Sequence, residues 1–293
     1  MRYGLITAGL FVLLWSTGFL GGKMGLPYAG PMTFLALRFG IVAVVLATWA
    51  ILTRREWLRR DQIADQILIG ALVHSLYLGG VFAGLAHGVE AGVAAMIVGL
   101  QPIATALVAR QFLGERLVPV QWLGMMLGLT GVGLVIARQM ESGFGDPLGV
   151  LFCFSALIGI AFGSILQKSR SDKTPMVSGN VVQFMSGTAC CAILALIFED
   201  MTVEWSGEFV FALGWLIIVL SLGAVALLYW LIQRGAASEV ASLFFLVPPC
   251  TAVFAWLLFD EPLGLLKLVG MAITAIGVLL VNRKSFLIRR AAV

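Results

Sequence analysis

Apolar runs of similar length recur along the whole chain, separated by short charged or proline-containing breaks. A helix needs ~20 mostly apolar residues to cross ~30 Å of hydrocarbon. The strands of a membrane barrel would instead alternate apolar and polar positions over ~10 residues, and these runs do not alternate. The pattern therefore predicts ten transmembrane helices, near residues 4–22, 31–52, 66–87, 91–109, 119–137, 148–167, 177–198, 209–231, 237–259 and 263–281.

The composition leads to the same fold class. The chain is 60% hydrophobic and 12% charged, with a mean hydropathy of +1.02, so it has too little polar surface for a water-soluble domain. All four cysteines lie inside apolar runs, where a thiol packs as a small hydrophobe, and this argues against a disulfide or zinc framework. We expect an all-α integral membrane protein that needs no cofactor and no metal.

Lysine and arginine residues concentrate in alternate loops, and basic residues in short loops resist translocation. If the N-terminus is cytoplasmic, the opposite side of the membrane holds only three of these residues, Lys23, Arg138 and Lys267, together with the acidic segment 199–208. The distribution therefore predicts that both termini are cytoplasmic. The basic tail 283–290 would bind anionic lipid headgroups, so the net charge of +4 needs no nucleic-acid partner.

An internal repeat relates the two halves of the chain. Segments 100–138 and 246–283 align at a constant offset of 146 residues, which pairs Pro102 with Pro248, Ala109 with Ala255, Glu115 with Glu261, Gly124 with Gly270 and Gly131 with Gly277. Each half, 1–143 and 144–293, holds five predicted spans. Since five is odd, the second copy enters the membrane in the opposite sense. Inverted repeats are typical of carriers whose halves meet around a midplane site.

The motifs of these spans resemble the EamA type of the drug/metabolite transporter superfamily. The resemblance rests on "LLWSTGF" in the first span, "LALRF" in the second, and "P…LGE" and "P…FDEP" at corresponding places in the two halves. It implies a ten-helix, inverted-repeat carrier of the bacterial inner membrane, in a family that handles amino acids, sugars, nucleotides, vitamins and drugs, mostly as exporters. Asp260 stands where the first repeat has Gly114, so the two glutamate corners need not be equivalent.

Two ionisable residues within spans are candidates for function. Arg38 lies seven residues beyond Pro31, roughly 10 Å deep, where a charge needs a cavity or a partner. It would bind a substrate carboxylate or order a gate, or else snorkel to the interface or pair with helix carbonyls. His74, with Tyr77 on the same helix face, is the one intramembrane group suited to carry a proton. The alternative is a neutral histidine that bonds to a neighbouring helix.

Further polar and aromatic residues near mid-membrane depth should face inward, because lipid offers them no partners. These predicted substrate-binding residues are Trp15, Ser16, Thr17, Gln101 and Tyr229. Packing is the competing explanation for each. Pro102 and Pro248 fall within predicted helices, should kink or break them, and are candidate hinges.

Two other features favour structural explanations. Glycines spaced four apart, at 80, 84 and 88 and at 124 and 128, allow close helix packing within the chain, and a homodimer through the 124–128 face is the alternative. Glu115 and Glu261 are interpreted as solvated charges or helix caps at loop corners.

These observations predict a secondary transporter that exports a small amphipathic metabolite, an amino acid or related aromatic compound, by alternating access. Uptake of a flat vitamin such as riboflavin is the alternative within this class, and a channel or a membrane enzyme is the alternative outside it. An enzyme is disfavoured because the sequence has no phosphate-binding glycine loop, nucleophile elbow or metal-ligand spacing. Without an ATP-binding motif, a pump driven by hydrolysis is disfavoured too.

Overall fold

The computed structural model describes residues 5–113, 117–141, 146–170, 174–234 and 243–290. Within these residues the chain is almost wholly helical, and the isolated bridge between Ala29 and Val203 is its only strand-like pairing. The α-helices are α1 (Leu5–Gly25), α2 (Pro31–Leu52), α3 (Arg60–Gly70), α4 (Gly79–Ala86), α5 (Ala91–Val98), α6 (Gln101–Leu113), α7 (Pro119–Glu141), α8 (Pro147–Arg170), α9 (Met176–Phe198), α10 (Gly207–Trp215), α11 (Val225–Arg234), α12 (Val247–Phe259) and α13 (Leu265–Arg290).

Three shorter helical segments connect some of these helices. The π-helical segment π1 (Ala71–Leu78) joins α3 to α4, and π2 (Leu216–Ala224) joins α10 to α11. A turn of 3-10 helix, Phe244–Leu246, leads into α12. Inserted π turns widen a helix locally and often accompany functional sites.

Eight helical runs are long and apolar enough to cross a membrane, and two shorter apolar helices follow them along the chain. The eight are Ile6–Gly25, Pro31–Leu52, Arg60–Ala86, Ala91–Val108, Pro119–Ala137, Pro147–Arg170, Met176–Phe198 and Gly207–Leu228, and the two are Phe244–Phe259 and Leu265–Val281. The predicted all-α membrane class is confirmed, while the count of ten crossings stays a prediction. The third run begins six residues before its predicted start at 66.

Large apolar side chains cover the outside of the bundle. Leu52, Phe198 and Leu265 are each more than three-quarters exposed. In water such side chains would form adhesive patches, whereas hydrocarbon solvates them. The exposed apolar surface is therefore the surface that faces lipid.

Glycines bring α7 and α13 into backbone contact. A side chain on Gly124 would collide with the carbonyl of Gly277, and one on Gly131 would collide with the carbonyl of Gly270. The predicted intramolecular packing of the 124–128 face is confirmed. The homodimer alternative for this face is wrong, because α13 already covers it.

A second glycine contact joins α4 to α8. Side chains on Gly80 and Gly84 would collide with the backbone or side chains of Phe152 and Cys153. Gly88, by contrast, has a φ of 80° in the turn that follows α4. The glycine at position 88 therefore meets a requirement of the turn and does not make a helix contact like the other two.

Both candidate hinge prolines lie in the first turn of a helix. A turn at Gly99 and Leu100 interrupts the helix after α5, and α6 then starts one residue before Pro102. Pro248 is likewise the second residue of α12. The expected interruption of the α-helix is present at both sites, as a turn before α6 and as the 3-10 turn before α12. The expected mid-helix location is wrong: each proline lies at a helix start, where it costs no backbone hydrogen bond. Their role as hinges stays a prediction.

The two ends of the bundle differ in their polar residues. One end, here the carboxylate end, holds Glu90, Glu199, Glu208 and Glu261, and the other, the amide end, holds Gln66, Gln167 and Gln183. Helix α9 runs from the amide end, where it holds Gln183, to the carboxylate end, where Glu199 follows its last residue. Helix α2 starts at the carboxylate end, since Glu199 accepts hydrogen bonds from Met32 and Thr33. The prediction that the carboxylate end faces outward stays a prediction.

Candidate functional site

Arg38 lies buried between α2 and π2, with 3% of its surface exposed. Its Nε and Nη2 atoms both donate to the hydroxyl of Ser221, at 3.2 and 3.0 Å. The Nη1 atom has no hydrogen-bond partner among the described residues. Snorkelling or carbonyl pairing is therefore not how Arg38 is accommodated. A buried guanidinium with an unused donor is costly unless another group meets it, and this makes Arg38 the strongest candidate for contact with an anionic solute.

His74 lies beside this arginine, in π1. Its ring stacks on Phe184 of α9 at 4.2 Å between centroids, and the ring of Phe39 lies 5.0 Å away. Neither ring nitrogen has a hydrogen-bond partner within the described part of the chain. The alternative of a histidine bonded to a neighbouring helix therefore does not match the structure. The proton-carrier role stays a prediction.

Tyr77 completes this group. The side chains of Tyr77 and His74 both lie close enough to the guanidinium of Arg38 to interact with its charge. The structure thus brings together three of the predicted residues, and we call Arg38, His74, Tyr77 and Ser221 the arginine site. Sequence reasoning missed Ser221. A signal for it existed, because Ser75 in π1 and Ser221 in π2 are related by the same offset of 146 residues as the glycines.

The candidate residues of α1 contact other helices. The ring of Trp15 lies edge-on to Phe244, at 5.1 Å between centroids. Ser16 is fully buried; its hydroxyl donates to the carbonyl of Val12 in its own helix at 2.8 Å and lies 3.3 Å from the carbonyl of Val247. The hydroxyl of Thr17 accepts a hydrogen bond from the indole of Trp215 at 2.9 Å. Each of the three α1 residues has a packing partner at α10 or around the start of α12, as the packing alternative predicted.

Gln101 and the helix breaks line a different region. The amide of Gln101 donates to Ser164 of α8 at 3.0 Å, so it does not serve the carbonyls that the break leaves open. Beside the breaks is a small cavity of about 20 Å³, about the space of one water molecule. It is lined by Met96, Gly99, Phe244, Pro248, Met271 and Thr274, among others. The side chain of Tyr229 lies outside the described residues.

Four charged side chains meet at the carboxylate end, in what we call the four-charge cluster: Lys23, Glu90, Glu261 and Lys267. Oε1 of Glu261 accepts from the ammonium of Lys23 at 2.7 Å and from the backbone N–H of Ala91 at 2.8 Å. The ammonium of Lys267 lies 2.6 Å from Oε2 of Glu90 and 3.6 Å from Oε2 of Glu261. With 4% exposure, Glu261 is buried, so its interpretation as a solvated charge is wrong, while the alternative of a helix cap agrees with its contact to Ala91, the first residue of α5. Glu115 lies outside the described residues, as do the side chains of the tail 283–290.

Two further contacts hold together the segments of the chain that surround the four-charge cluster. The carboxylate of Glu199 caps α2, accepting from the N–H groups of Met32 and Thr33 at 2.7 and 2.8 Å, where the helix dipole favours negative charge. The hydroxyl of Tyr28 donates to Glu208, and this hydrogen bond raises the pKa of the tyrosine. Both contacts join the α1–α2 connection to the α9–α10 connection.

The chain is similar along its whole length to membrane transporters. It is 28% identical to the uncharacterized transporter YvbV of Bacillus subtilis, over 100% of this chain and 95% of the relative. It is 22% identical to the uncharacterized inner membrane transporter YedA of Escherichia coli, over 94% and 89%. One crystal structure shares the fold, with a TM-score of 0.64 at 20% identity, over 98% of this chain and 97% of that one.

The sequence model of the EamA-like transporter family matches twice, over residues 2–137 and 147–283. These two matches leave only short segments of the chain outside the family pattern. The resemblance inferred from the motifs is thereby confirmed. The chain belongs to the EamA-like transporter family.

Proposed function

We propose that this protein is a secondary transporter that exports a small amphipathic metabolite, an amino acid or related aromatic compound, across the inner membrane by alternating access. The observation that carries the proposal is the arginine site. Arg38 comes from the first half of the chain and Ser221 from the second, so a solute that binds the unused Nη1 contacts the junction of both halves. A solute with a carboxylate would supply the acceptor that this donor lacks.

Several observations support two inverted halves, 1–143 and 144–293, with ten crossings and both termini cytoplasmic. The family model matches once in each half. The π-helical segments start at Ala71 and Leu216, close to the offset of the sequence repeat, and each half has a helix break followed by a proline. Carriers built in this way place their solute between the halves and rock the halves against each other.

The aromatic surroundings favour a solute with a flat ring. His74, Phe39 and Phe184 form an aromatic cluster at the arginine site, in which His74 stacks on Phe184, and a planar ring can take the place of one of these contacts. A flat vitamin such as riboflavin, moving inward, is therefore the second candidate. A planar aromatic acid would contact both the aromatic cluster and the arginine.

Solute counterflow in proteoliposomes tests the proposal. Vesicles loaded with an amino acid or aromatic acid should accumulate a labelled trace of the same solute, which a channel or an enzyme would not do. A screen of metabolite resistance and efflux in cells that overexpress the protein selects the solutes and gives the direction. Absence of counterflow for every solute so selected would contradict the proposal.

Variants at the arginine site make the test specific. Arg38→Lys keeps the charge but loses the planar fork of donors, so counterflow of a carboxylate solute should fall about tenfold or more. Arg59→Lys, on an exposed arginine, is the matched control and should leave counterflow unchanged. Unaltered counterflow in Arg38→Lys would remove this residue from the solute site. If transport by His74→Gln keeps its full dependence on a proton gradient, His74 is not the proton carrier.

A further inference from the structure

The four-charge cluster joins the two halves of the chain at the point where the carboxylate end closes. Lys23 and Glu90 belong to the first half, and Glu261 and Lys267 belong to the second. Both short ion pairs, Lys23–Glu261 at 2.7 Å and Lys267–Glu90 at 2.6 Å, run from one half to the other. A movement that separates the halves at this end must therefore break both pairs.

The energetics of such a cluster suit a contact that opens and closes. Burying an ion pair costs hydration free energy that nearly cancels its Coulomb attraction, so the closed cluster is only weakly favoured over separated, hydrated ions. Removing one partner is different, because it leaves a charge buried without compensation. Glu261 and Lys267 are 4% and 6% exposed, so a missing partner at either of them is not replaced by water unless the end opens.

Close packing beside the four-charge cluster adds a steric contact between the halves to the ion pairs. Gly92, the second residue of α5, lies against Ala252 of α12 and against the stem of Lys267. A Cβ atom at this position would come within 2.9 Å of the Cβ of Ala252. Only a residue without a side chain allows the two halves to meet here, so the steric contact and the ion pairs close the same boundary.

From these contacts we infer that the four-charge cluster is the gate of the carboxylate end, closed when Lys23 and Glu90 meet Glu261 and Lys267 and open when these pairs part. The inference rests on the alternating access proposed above. Glu261 is the central residue of the gate, because it holds Lys23, faces Lys267 and also caps the first N–H of α5 at Ala91. Through α5 the gate connects to the helix break at Gly99 and the cavity beside it.

A thiol reporter below the gate measures its opening without any solute. Thr251 is fully buried in α12, about 12 Å along the helix from its last residue, Phe259, and its hydroxyl has no partner among the described residues. Thr251→Cys, in a background without the four native cysteines, supplies the reporter. The rate at which a membrane-impermeant thiol reagent labels it from the carboxylate end then reports how often the gate is open.

Two variants should open the gate by different means. Lys267→Met leaves Glu90 and Glu261 with an uncompensated charge, and labelling should become at least about tenfold faster. Gly92→Ala keeps all four charges but wedges the halves apart, and it should also speed labelling, by a factor approaching tenfold. The double variant Lys267→Met/Glu90→Gln restores a net neutral cluster and should return the rate toward that of the parent.

The control is an exposed ion pair at the other end of the bundle, with both partners in the first half. Asp61→Asn breaks the contact of Asp61 with Arg59, 3.3 Å long, and should not change labelling. Unchanged labelling in Lys267→Met and Gly92→Ala, or an equal rise in Asp61→Asn, would overturn the gate. Should Lys267→Met fail to purify as a monodisperse protein, Gly92→Ala decides the question alone.

The outcome is separable from that of the proposed function. Labelling needs no solute, so unchanged labelling together with intact counterflow overturns the gate and leaves the transporter standing. Faster labelling in the gate variants without counterflow of any solute supports the gate and overturns the proposed solute transport.

Discussion

At the carboxylate end, buried charges from both halves meet in ion pairs, whereas at the amide end the buried contacts between the halves are made by neutral glutamines and the ion pair between Asp65 and Arg170 is partly exposed. The side-chain amide of Gln183 donates to Gln66 at 2.7 Å and to Gln167 at 3.2 Å. Ser186 adds a hydrogen bond to the carbonyl of Ile67 at 2.8 Å. Gln66 and Gln183 are as deeply buried as Glu261, so the buried polar contacts of the two ends differ in charge and not in depth of burial.

This difference bears on how each end responds to a lost partner. A neutral hydrogen bond contributes about 0.5–1.5 kcal/mol net, and an unsatisfied neutral group costs about 1–3 kcal/mol. Removing one partner of a buried ion pair costs about 3–5 kcal/mol. The carboxylate end should therefore be the more sensitive to single substitutions, and the amide end should behave as a firmer, less switchable contact.

The largest expected effect is at Glu261. Glu261→Gln keeps the side chain's volume but leaves Lys23 and Lys267 without their shared carboxylate, so the free energy of unfolding should fall by about 3 kcal/mol, less the part screened at the partly exposed Lys23. Thermal unfolding in detergent should show a midpoint several degrees lower. Glu208→Gln, at an exposed carboxylate of the same end, is the control, and equal midpoints for the two variants would erase the contrast between the ends.

A smaller effect is expected at the amide end. Gln183→Leu leaves the carbonyl oxygens of Gln66 and Gln167 without their donor and should lower the free energy of unfolding by about 1–2 kcal/mol. The double variant Gln66→Leu/Gln183→Leu removes both buried partners and should recover part of that loss, as non-additive midpoints would show. A loss in Gln183→Leu as large as that in Glu261→Gln would contradict the idea that charge sets the difference.

The sequence predicted the helices well because lipid imposes a single requirement on every span, a run of apolar residues in a self-satisfied helix. Arg38 was recognisable for the same reason, as one charge inside such a run. The π-helical segments were not predictable, since the sequences of π1 and π2 are apolar like those of the regular helices α1 and α2. Proline indicated that the helices are interrupted, but it did not give the position of the interruption, which before Pro102 lies at Gly99 and Leu100.

The four-charge cluster shows why site prediction failed at the loops. A charged residue in a loop is usually exposed to solvent, and on that ground Glu261 was interpreted as a solvated charge or a helix cap. Its burial comes from contacts with Lys23 and Ala91, which lie 238 and 170 residues away along the chain. Contacts between residues so far apart along the chain cannot be recognised from the residues around either of them. A charge inside an apolar run, by contrast, can be recognised from its neighbours in the sequence.

The smallest effect is expected for a charged contact of the carboxylate end that is exposed and not buried. Tyr28 and Glu208 form a charge-assisted hydrogen bond at the surface, and this bond raises the pKa of Tyr28 above its ordinary value of 10.0. Because the fold favours the neutral phenol, any contribution to stability is present below pH 10 and is lost as the pH rises through the raised pKa. Tyr28→Phe should therefore change the unfolding midpoint very little at neutral pH, and ultraviolet titration should lose one late-ionising tyrosine. A midpoint shift as large as that of Glu261→Gln would mean that any charged contact at this end is decisive, whether or not it is buried, and the gate would then extend beyond the four-charge cluster to the loops around it.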